Sequence, residues 1–402
     1  MKILIQFIIT TLILQDIIAV HLPIFGYEDE FLMVIMFIYV IYILLRNNCK
    51  LSKYEIFSLI LLIIYIVLGV ISNINSGLIP YNLYILSIVM TIKGYLLYFE
   101  FRIIFQHLDI NIEILKPICN ILEIIMIILV LCLIGNYKLN FLEVQDVRFG
   151  VETYKLGFSH PTELAFFSII SMSLILFYNS FSNNNKNNNW VIFITFILVF
   201  FSGRSKAMAF IAIFIILFNF VKITKKFKIK YLIIIMPVAI YIALPRIVSE
   251  LLDGARGYLY TTSIKIATDY FPLGSGFGTF GSYISRINYS DLYFRYGLSN
   301  IWGLSPSMPL YISDTYWAMI LGECGFIGFI LIVLFLSFIF LQFLKFKISY
   351  KKKIIIVGLL LYTIIASIAE PIYSSNKCAA LFVVLAFFST VIRKSSLESG
   401  GN

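Results

Sequence analysis

Long apolar runs alternate with short polar turns along almost the whole chain. A membrane-spanning helix needs about 20 mainly apolar residues, and most of the runs approach that length. The runs fall at 3–20, 31–45, 55–72, 81–99, 114–135, 161–179, 190–203, 206–221, 231–245, 316–340, 354–369 and 376–392. The pattern predicts an all-α polytopic membrane protein with about twelve transmembrane helices. Several runs are short, so one pair could instead be re-entrant.

One long polar stretch, 246–315, interrupts this alternation between the ninth and tenth runs. Every other connection is much shorter, so this stretch has the most room for chemistry or recognition. We therefore expect a single integral membrane domain, 1–402, with 246–315 as its large loop.

Composition narrows the class of protein further. The chain is 60% hydrophobic and 13% charged, with a mean hydropathy of +0.95, which excludes a soluble globular domain. Its net charge of +10 does not indicate nucleic-acid binding, because the basic residues are scattered among turns instead of forming one face. The five cysteines have no C-x-x-C spacing and predict neither a metal site nor a disulfide framework.

The density of basic residues predicts the orientation in the membrane. Five lysines lie in the nine residues 222–230 and five more in 345–353, whereas the whole loop 246–315 contains only five basic residues. Cytoplasmic turns are enriched in Lys and Arg, so both termini are predicted to be cytoplasmic and the loop extracytoplasmic. The first apolar run, with Lys2 ahead of it, is interpreted as a retained signal anchor.

Some charged residues are not explained by topology. Arg204 lies in a very short turn on the predicted outer side, where its guanidinium could clamp a phosphate through paired N–H donors or could simply reach toward lipid head groups. Lys93 lies near the middle of the fourth run, where a charge needs a partner or a water-filled cavity. Glu123 in the fifth run is a candidate partner for Lys93, while Asp16 could be interfacial.

The turn before the sixth run combines Arg148 with His160 and Pro161. Pro161 fits the first turn of a helix, and Ser159 or His160 could cap it. Helix capping requires neither Arg148 nor an imidazole, so both remain candidate site residues, although a lone histidine is more often structural.

The long loop contains three further features. Arg256 precedes a helix-compatible stretch, Leu259 to Ala267. The spacing Gly276-x-Gly278-x-x-Gly281 matches a dinucleotide fingerprint only by letter, because no βαβ unit surrounds it, although its N–H groups could face some other anion. Asp314, at the end of the loop, could act chemically or could cap the tenth run.

Glu323 follows Asp314 by nine residues, about two and a half helical turns, and is therefore predicted at membrane depth. Together with Lys93, it is a possible intramembrane functional residue.

These motifs, in this order over about 140–335, resemble the O-antigen polymerase and O-antigen ligase family of bacterial surface-polysaccharide assembly. The first two are Arg148-Phe149-Gly150 with His160-Pro161, and Ser202-Gly203-Arg204-Ser205, in which the arginine stands one place early. The others are Arg256 followed by Pro272-Leu273-Gly274-Ser275-Gly276-Phe277-Gly278, and Asp314-Thr315-Tyr316 followed by Glu323-Cys324-Gly325-Phe326-Ile327-Gly328.

The resemblance implies an inverting, metal-independent glycosyl transfer that needs no cofactor. Its substrate would be a polyprenyl-diphosphate-linked oligosaccharide, joined into capsule, O-antigen or exopolysaccharide on the outer face of the bacterial cytoplasmic membrane. A chain-length regulator and a flippase would be partners. Arg204, Arg256 and Arg148 would stabilise the diphosphate, and Asp314, or His160 in its place, would accept the proton.

Three alternatives remain. Ligases of the family carry a histidine in or near the large loop, and 246–315 contains none, which favours a polymerase. A lipid-linked oligosaccharide flippase also suits twelve spans, but no repeated halves are visible. A structural scaffold leaves Lys93 and the outer arginines without a role. The polymerase interpretation predicts that the loop folds over a membrane cavity and brings Arg256 close to Arg204.

Overall fold

The computed structural model describes residues 1–46, 49–148, 150–181, 188–225 and 254–399, and for 397–399 the backbone alone. The first eight helices are α1 Lys2–His21, α2 Glu28–Arg46, α3 Lys53–Ser76, α4 Tyr81–His107, α5 Leu115–Leu139, α6 Pro161–Phe181, α7 Asn189–Ser202 and α8 Ser205–Thr224. After the gap follow α9 Ala255–Asp269, α10 Tyr283–Ile287, α11 Asp291–Arg295, α12 Tyr316–Lys345, α13 Tyr350–Ser367 and α14 Lys377–Ser399.

Within the described residues, seven helices are long and apolar enough to cross a membrane. They are α1, α3, α5, α6, α8, α12 and α14. The chain is therefore a nearly all-α, multi-pass membrane protein, as the hydrophobic pattern predicts. The predicted run 231–245 and the loop residues 246–253 lie outside the described residues, and α7 has only 14 residues, so the count of twelve spans stays a prediction.

Local sequence signals set the limits of several helices. Ser52 and Glu55 form a reciprocal capping box that begins α3. Pro161 occupies the first position of α6, where its missing N–H costs nothing. Gly203, with a φ of +63°, forms the tight turn that separates α7 from α8. The predicted helix-compatible stretch Leu259 to Ala267 lies inside α9.

Two helices occupy the centre of the bundle. In α6 and α14, 83% of the most apolar 18-residue window is buried, compared with 33–39% in the other five candidate spans. Helix α14 packs along α4, while α3 packs along α12. The remaining spans expose apolar faces of the kind that lipid would cover.

A short β-hairpin is present that the all-α prediction does not include. Strand β1, Val144–Arg148, pairs antiparallel with β2, Val151–Tyr154. Thr153 lies against the turn at Gly203. A Cβ atom added to Gly203 would lie 2.3 Å from Thr153 Cγ2. Because Gly203 has no side chain, the hairpin can lie directly on the α7–α8 turn and carry Arg148 toward Arg204.

Residues 274–281 of the glycine-rich segment 272–281 are buried between α3 and α12. Gly325 has a φ of +63° and interrupts α12, which frees backbone groups on the preceding residues. Ser275 N–H donates to the Gly322 carbonyl at 3.0 Å, and Gly276 N–H donates to the Glu323 carbonyl at 2.7 Å. From α3, the amide side chain of Asn73 both donates to and accepts from the backbone of Phe277, at 2.9 and 2.8 Å.

The group that faces this glycine-rich turn is the carboxyl group of Glu323. Its Oε1 accepts from Gly278 N–H at 2.8 Å and from Phe280 N–H at 3.3 Å, and the side chain is 1% exposed. The glycine-rich motif at 272–281 and the motif that begins at Glu323 therefore form the two sides of one packing contact. The structure gives Glu323 a role in holding the loop segment against the break in α12.

Candidate functional site

Charged side chains from five separate parts of the chain meet at one end of the helix bundle, here called the Arg256 side. They come from the β-hairpin, the start of α6, the α7–α8 turn, the two ends of the segment 254–315, and the connection between α13 and α14. Helix ends carry unpaired backbone groups and polar turns, so an end of the bundle can accommodate charge.

Arg256 and Asp314 form the centre of this cluster. Arg256 Nη2 donates to Asp314 Oδ2 at 2.8 Å, and the two side chains are 23% and 29% exposed. The Arg256 guanidinium also lies 5.5 Å from the ring centre of Tyr311. Thr315, not Asp314, is the N-cap residue of α12, and its side chain makes no capping bond, so Asp314 is not a helix cap.

A chain of ion pairs leads away from Arg256 and Asp314. Lys206 Nζ lies 2.8 Å from Glu370 Oε1 and also donates to the Ala369 carbonyl at 2.8 Å. Glu370 Oε2 lies 3.2 Å from Lys377 Nζ, which in turn lies 3.0 Å from Glu163 Oε1. The charges of Lys206 and Glu370 act on Asp314 as well, so these groups share one electrostatic environment.

For both Asp314 and Glu370, burial raises the pKa of the carboxyl group and neighbouring positive charges lower it, but the net results differ. Burial raises the pKa of Asp314 above its usual range, and the Arg256 guanidinium opposes this only in part. Burial also acts to raise the pKa of Glu370, but the ammonium groups of Lys377 and Lys206 outweigh it and lower that pKa. Glu370 is therefore a fixed anion, whereas Asp314 is the carboxylate with the greater proton affinity.

The hairpin and the α7–α8 turn each supply one more cation. Arg148 Nη2 donates to Asp146 Oδ2 at 3.1 Å, and Arg204 Nη2 lies 3.7 Å from the same oxygen. The Arg204 side chain is 13% exposed, and the Arg148 side chain is 25% exposed. Two of the three arginines predicted to bind a diphosphate, Arg148 and Arg204, are thus neighbours that share one carboxylate.

His160 is close enough to both Arg204 and Lys377 for their charges to act on it. Its Nδ1 accepts from Thr162 N–H at 3.2 Å, so it caps α6, as one of the sequence alternatives predicts. Burial lowers the pKa of His160 to about 4, and the nearby Arg204 and Lys377 charges add to this effect. A neutral imidazole that accepts at Nδ1 carries its proton on Nε2, where it is a hydrogen-bond donor and not a base.

His160 makes stability depend on pH. Its pKa is lower in the folded state than in the unfolded chain, so between about pH 6.5 and pH 4 the unfolded chain binds more protons. The contribution of His160 to stability is therefore complete above about pH 6.5 and decreases as the pH falls toward 4. In His160→Asn, which can still cap α6, the melting temperature in detergent should fall less over this range. Equal pH dependence in both proteins would contradict this assignment.

Lys93 does not pair with Glu123, the partner suggested by the sequence. Its ammonium group lies 2.5 Å from Asp29 Oδ2 and 2.6 Å from Glu30 Oε1, and it donates to Asn376 Oδ1 at 2.9 Å. Lys93 and Asp29 are both fully buried. The beginning of α2 reaches far enough along α4 to supply both carboxylates, a tertiary arrangement that run lengths do not reveal.

Replacing Lys93 should destabilise the protein severely. Lys93→Met leaves Asp29 and Glu30 without their countercharge in a buried site, and breaking a buried pair costs about 3–5 kcal/mol. We expect a large drop in melting temperature in detergent. The matched control is Lys116→Met, at an exposed position of α5, which should melt like the native protein. Adding Asp29→Asn and Glu30→Gln to Lys93→Met should recover much of the loss; no recovery would contradict the ion-pair explanation.

Five charged residues of the cluster were not selected from the sequence as site residues, namely Asp146, Glu163, Lys206, Glu370 and Lys377. Lys206 follows the Arg204 turn, and Glu370 and Lys377 flank the start of the last apolar run. Each looks like an ordinary interfacial residue in isolation. A charged pair that flanks a run on the side poor in Lys and Arg is the signal that could have identified them.

No group of three or more His, Cys, Asp or Glu side chains that could hold a metal ion occurs among the described residues. The chain was also compared with protein-family models, curated proteins and solved structures, and none of these comparisons gives a match.

Proposed function

We propose that this protein polymerises polyprenyl-diphosphate-linked oligosaccharide repeats into a surface polysaccharide by inverting glycosyl transfer. The observation that carries the proposal is the Arg256 side, where a carboxylate of raised pKa, Asp314, contacts an arginine and lies in a cluster rich in cations. Lys206 shares that environment, and Arg148 and Arg204 lie nearby beside His160. The order of motifs that resembles the O-antigen polymerase and ligase family supports the same conclusion.

The reaction requires two groups of opposite character. An acceptor hydroxyl attacks the anomeric carbon of the donor sugar while the bond to the lipid diphosphate breaks, so negative charge develops on the diphosphate. Preorganised cations stabilise such charge well in a partly dry site. Arg256 and Arg204 supply this function, with Arg148 as a third donor.

Asp314 accepts the proton of the attacking hydroxyl. Without substrate, its Oδ2 is held by Arg256. A diphosphate that draws the guanidinium toward itself removes the interaction that lowers the pKa of Asp314, while burial continues to raise it. Binding of the leaving group would thereby increase the basicity of the catalytic carboxylate. His160, whose Nε2 carries a proton, donates a hydrogen bond to the substrate in this scheme.

The membrane orientation belongs to the same proposal. The Arg256 side faces the exterior of a bacterial cytoplasmic membrane, and the termini and the lysine-rich turns face the cytoplasm. The positive-inside distribution of the sequence supports this orientation. The proposal includes twelve spans and the extracytoplasmic loop 246–315, and it names no metal or cofactor.

A test in cells separates this function from translocation. Deleting the gene should leave single lipid-linked repeats on the outer leaflet, accessible to an added glycosidase, with no polymer. Repeats that accumulate on the inner leaflet would contradict polymerisation and would indicate a flippase. Polymer that forms normally but is not attached to its acceptor would indicate a ligase.

A further inference from the structure

A cavity of about 420 Å³ opens next to the charged cluster on the Arg256 side. This volume lies within the range of about 300–1000 Å³ that is usual for small-molecule sites. Parts of the segment 16–30, α4, the loop segment 281–284 and the connection before α14 form most of its walls. Most of the cavity wall therefore comes from parts of the chain that carry no proposed catalytic residue.

The walls offer unsatisfied hydroxyl groups. Ser87 lines the cavity from α4 and is 1% exposed, and its buried Oγ has no hydrogen-bond partner within the described part of the chain. Ser375, on the α13–α14 connection, also lines the cavity, and its buried Oγ likewise has no hydrogen-bond partner among the described residues. Buried polar atoms in native proteins are almost always hydrogen-bonded, so both hydroxyls indicate a polar occupant.

Two tyrosines complete the surface. Tyr27 is 62% exposed and Tyr283 is 49% exposed, and both line the cavity. Aromatic rings beside hydroxyl and carboxylate groups suit a ligand that has both apolar C–H faces and many hydroxyls. A sugar ring has this combination.

The lining of the cavity carries more acidic than basic groups. Its described residues include three carboxylates, Asp16, Glu30 and Glu163, and one ammonium group, Lys377. Glu30 pairs with Lys93 and Glu163 pairs with Lys377, so Asp16 is the lining carboxylate that forms no ion pair among the described residues. Asp16 already accepts from Ser159 N–H at 2.8 Å and from Ser159 Oγ at 2.5 Å, so it is fixed in place. An acidic sugar would be repelled here, whereas hydroxyl or amino groups would find acceptors.

The cavity and the charged cluster are continuous. Lys377 and Glu163 line the cavity and belong to the chain of ion pairs that reaches Lys206 through Glu370. On the other side, Ser313 lines the cavity and immediately precedes Asp314. A sugar in the cavity would therefore lie beside the groups proposed to bind diphosphate.

We infer that this cavity binds a sugar ring of the lipid-linked repeat and selects a ring without an acidic group. The inference rests on the proposed function and specifies its substrate: the sugar next to the reacting centre is neutral or carries an amino group, and uronic acids are excluded from this position.

Binding to the purified full-length protein tests the inference. Farnesyl diphosphate, its glucose ester and its glucuronic acid ester are titrated by calorimetry in detergent. We expect the glucose ester to bind about tenfold more tightly than farnesyl diphosphate, and the glucuronic acid ester to gain nothing. Asp16→Asn, which can still accept from Ser159, should reduce the discrimination between the two esters. A glucuronic acid ester that binds as tightly as the glucose ester would overturn the inference.

Two tyrosine variants provide the matched comparison. Tyr283→Ala should remove the tenfold gain from glucose and leave farnesyl diphosphate affinity unchanged. Tyr258→Ala removes a similarly exposed ring, 47% exposed, that does not line the cavity, and should change neither affinity. A gain that survives both Tyr283→Ala and Ser87→Ala would overturn the inference while leaving the proposed function intact.

The opposite failure is also recognisable. If farnesyl diphosphate itself does not bind, the proposed diphosphate site is wrong. Methyl glucoside and methyl glucuronoside then test the cavity alone. Binding of the glucoside only, lost in Tyr283→Ala, supports the cavity assignment, and any other pattern contradicts it.

Discussion

Arg256→Ala should reduce polymer formation about 100–1000-fold with little change in the amount of folded protein. This is the size of effect seen when one preorganised donor is removed from a site that stabilises developing negative charge. Arg256 is partly exposed, so its loss leaves no fully buried charge behind. The measurement is polymer yield and initial rate, normalised to protein quantity in the membrane.

Controls distinguish this catalytic role from a structural one. Lys265→Ala removes an exposed cation from the same helix, α9, and should leave the rate unchanged. Asp314→Asn should lose activity to a similar degree, because the amide cannot accept the proton. If Arg256 and Asp314 act as one unit, the double variant will be scarcely worse than either single variant. Normal chain length in Arg256→Ala would remove Arg256 from the site.

Gly274→Ala should destabilise the protein by about 3 kcal/mol or more and should abolish polymer as a consequence. Gly274 has a φ of +80°, and an added Cβ would lie 2.3 Å from Gly325 N and 2.7 Å from the Glu323 carbonyl oxygen. These are backbone atoms at the break in α12, and displacing them would cost much more free energy than moving a flexible side chain. The glycine-rich segment would have to leave its position between α3 and α12.

Gly297→Ala is the matched control for this variant. Gly297 has a similar φ of +72°, but an added Cβ would meet no atom within 4 Å. It should therefore show only the cost of the left-handed backbone conformation, about 1 kcal/mol. Melting temperatures in detergent report the difference. Equal losses in the two variants would show that the packing contact at Gly274 contributes nothing.

Much of the fold follows from the sequence because run length and composition determine which segments suit a membrane. The helices containing the runs 3–20, 55–72 and 316–340 are examples, since nothing beyond local apolarity is needed to place them. The hairpin at 144–154 is different. Its position depends on the absence of a side chain at Gly203, where the hairpin packs. This is a tertiary contact that no local sequence pattern predicts.

The site shows the same division. Arg256 and Asp314 can be selected from the sequence, because each is a charge that the topology leaves unexplained, yet their contact joins positions 58 residues apart. Glu323 could be selected from the sequence in the same way, as an ionisable residue at membrane depth. Only the structure shows that it accepts hydrogen bonds from the loop backbone. The partners of Lys93 were likewise mispredicted, since Asp29 and Glu30 look like an ordinary acidic turn in the sequence.

The most direct test of the central claim is reconstitution. Purified protein is incubated in lipid vesicles with a synthetic polyprenyl-diphosphate-linked repeat, and the products are separated by size. We predict a ladder of products that differ by one repeat, with release of polyprenyl diphosphate and no requirement for added nucleotide. Substrate that remains entirely as single repeats, with Arg256→Ala indistinguishable from the native protein, would contradict the account.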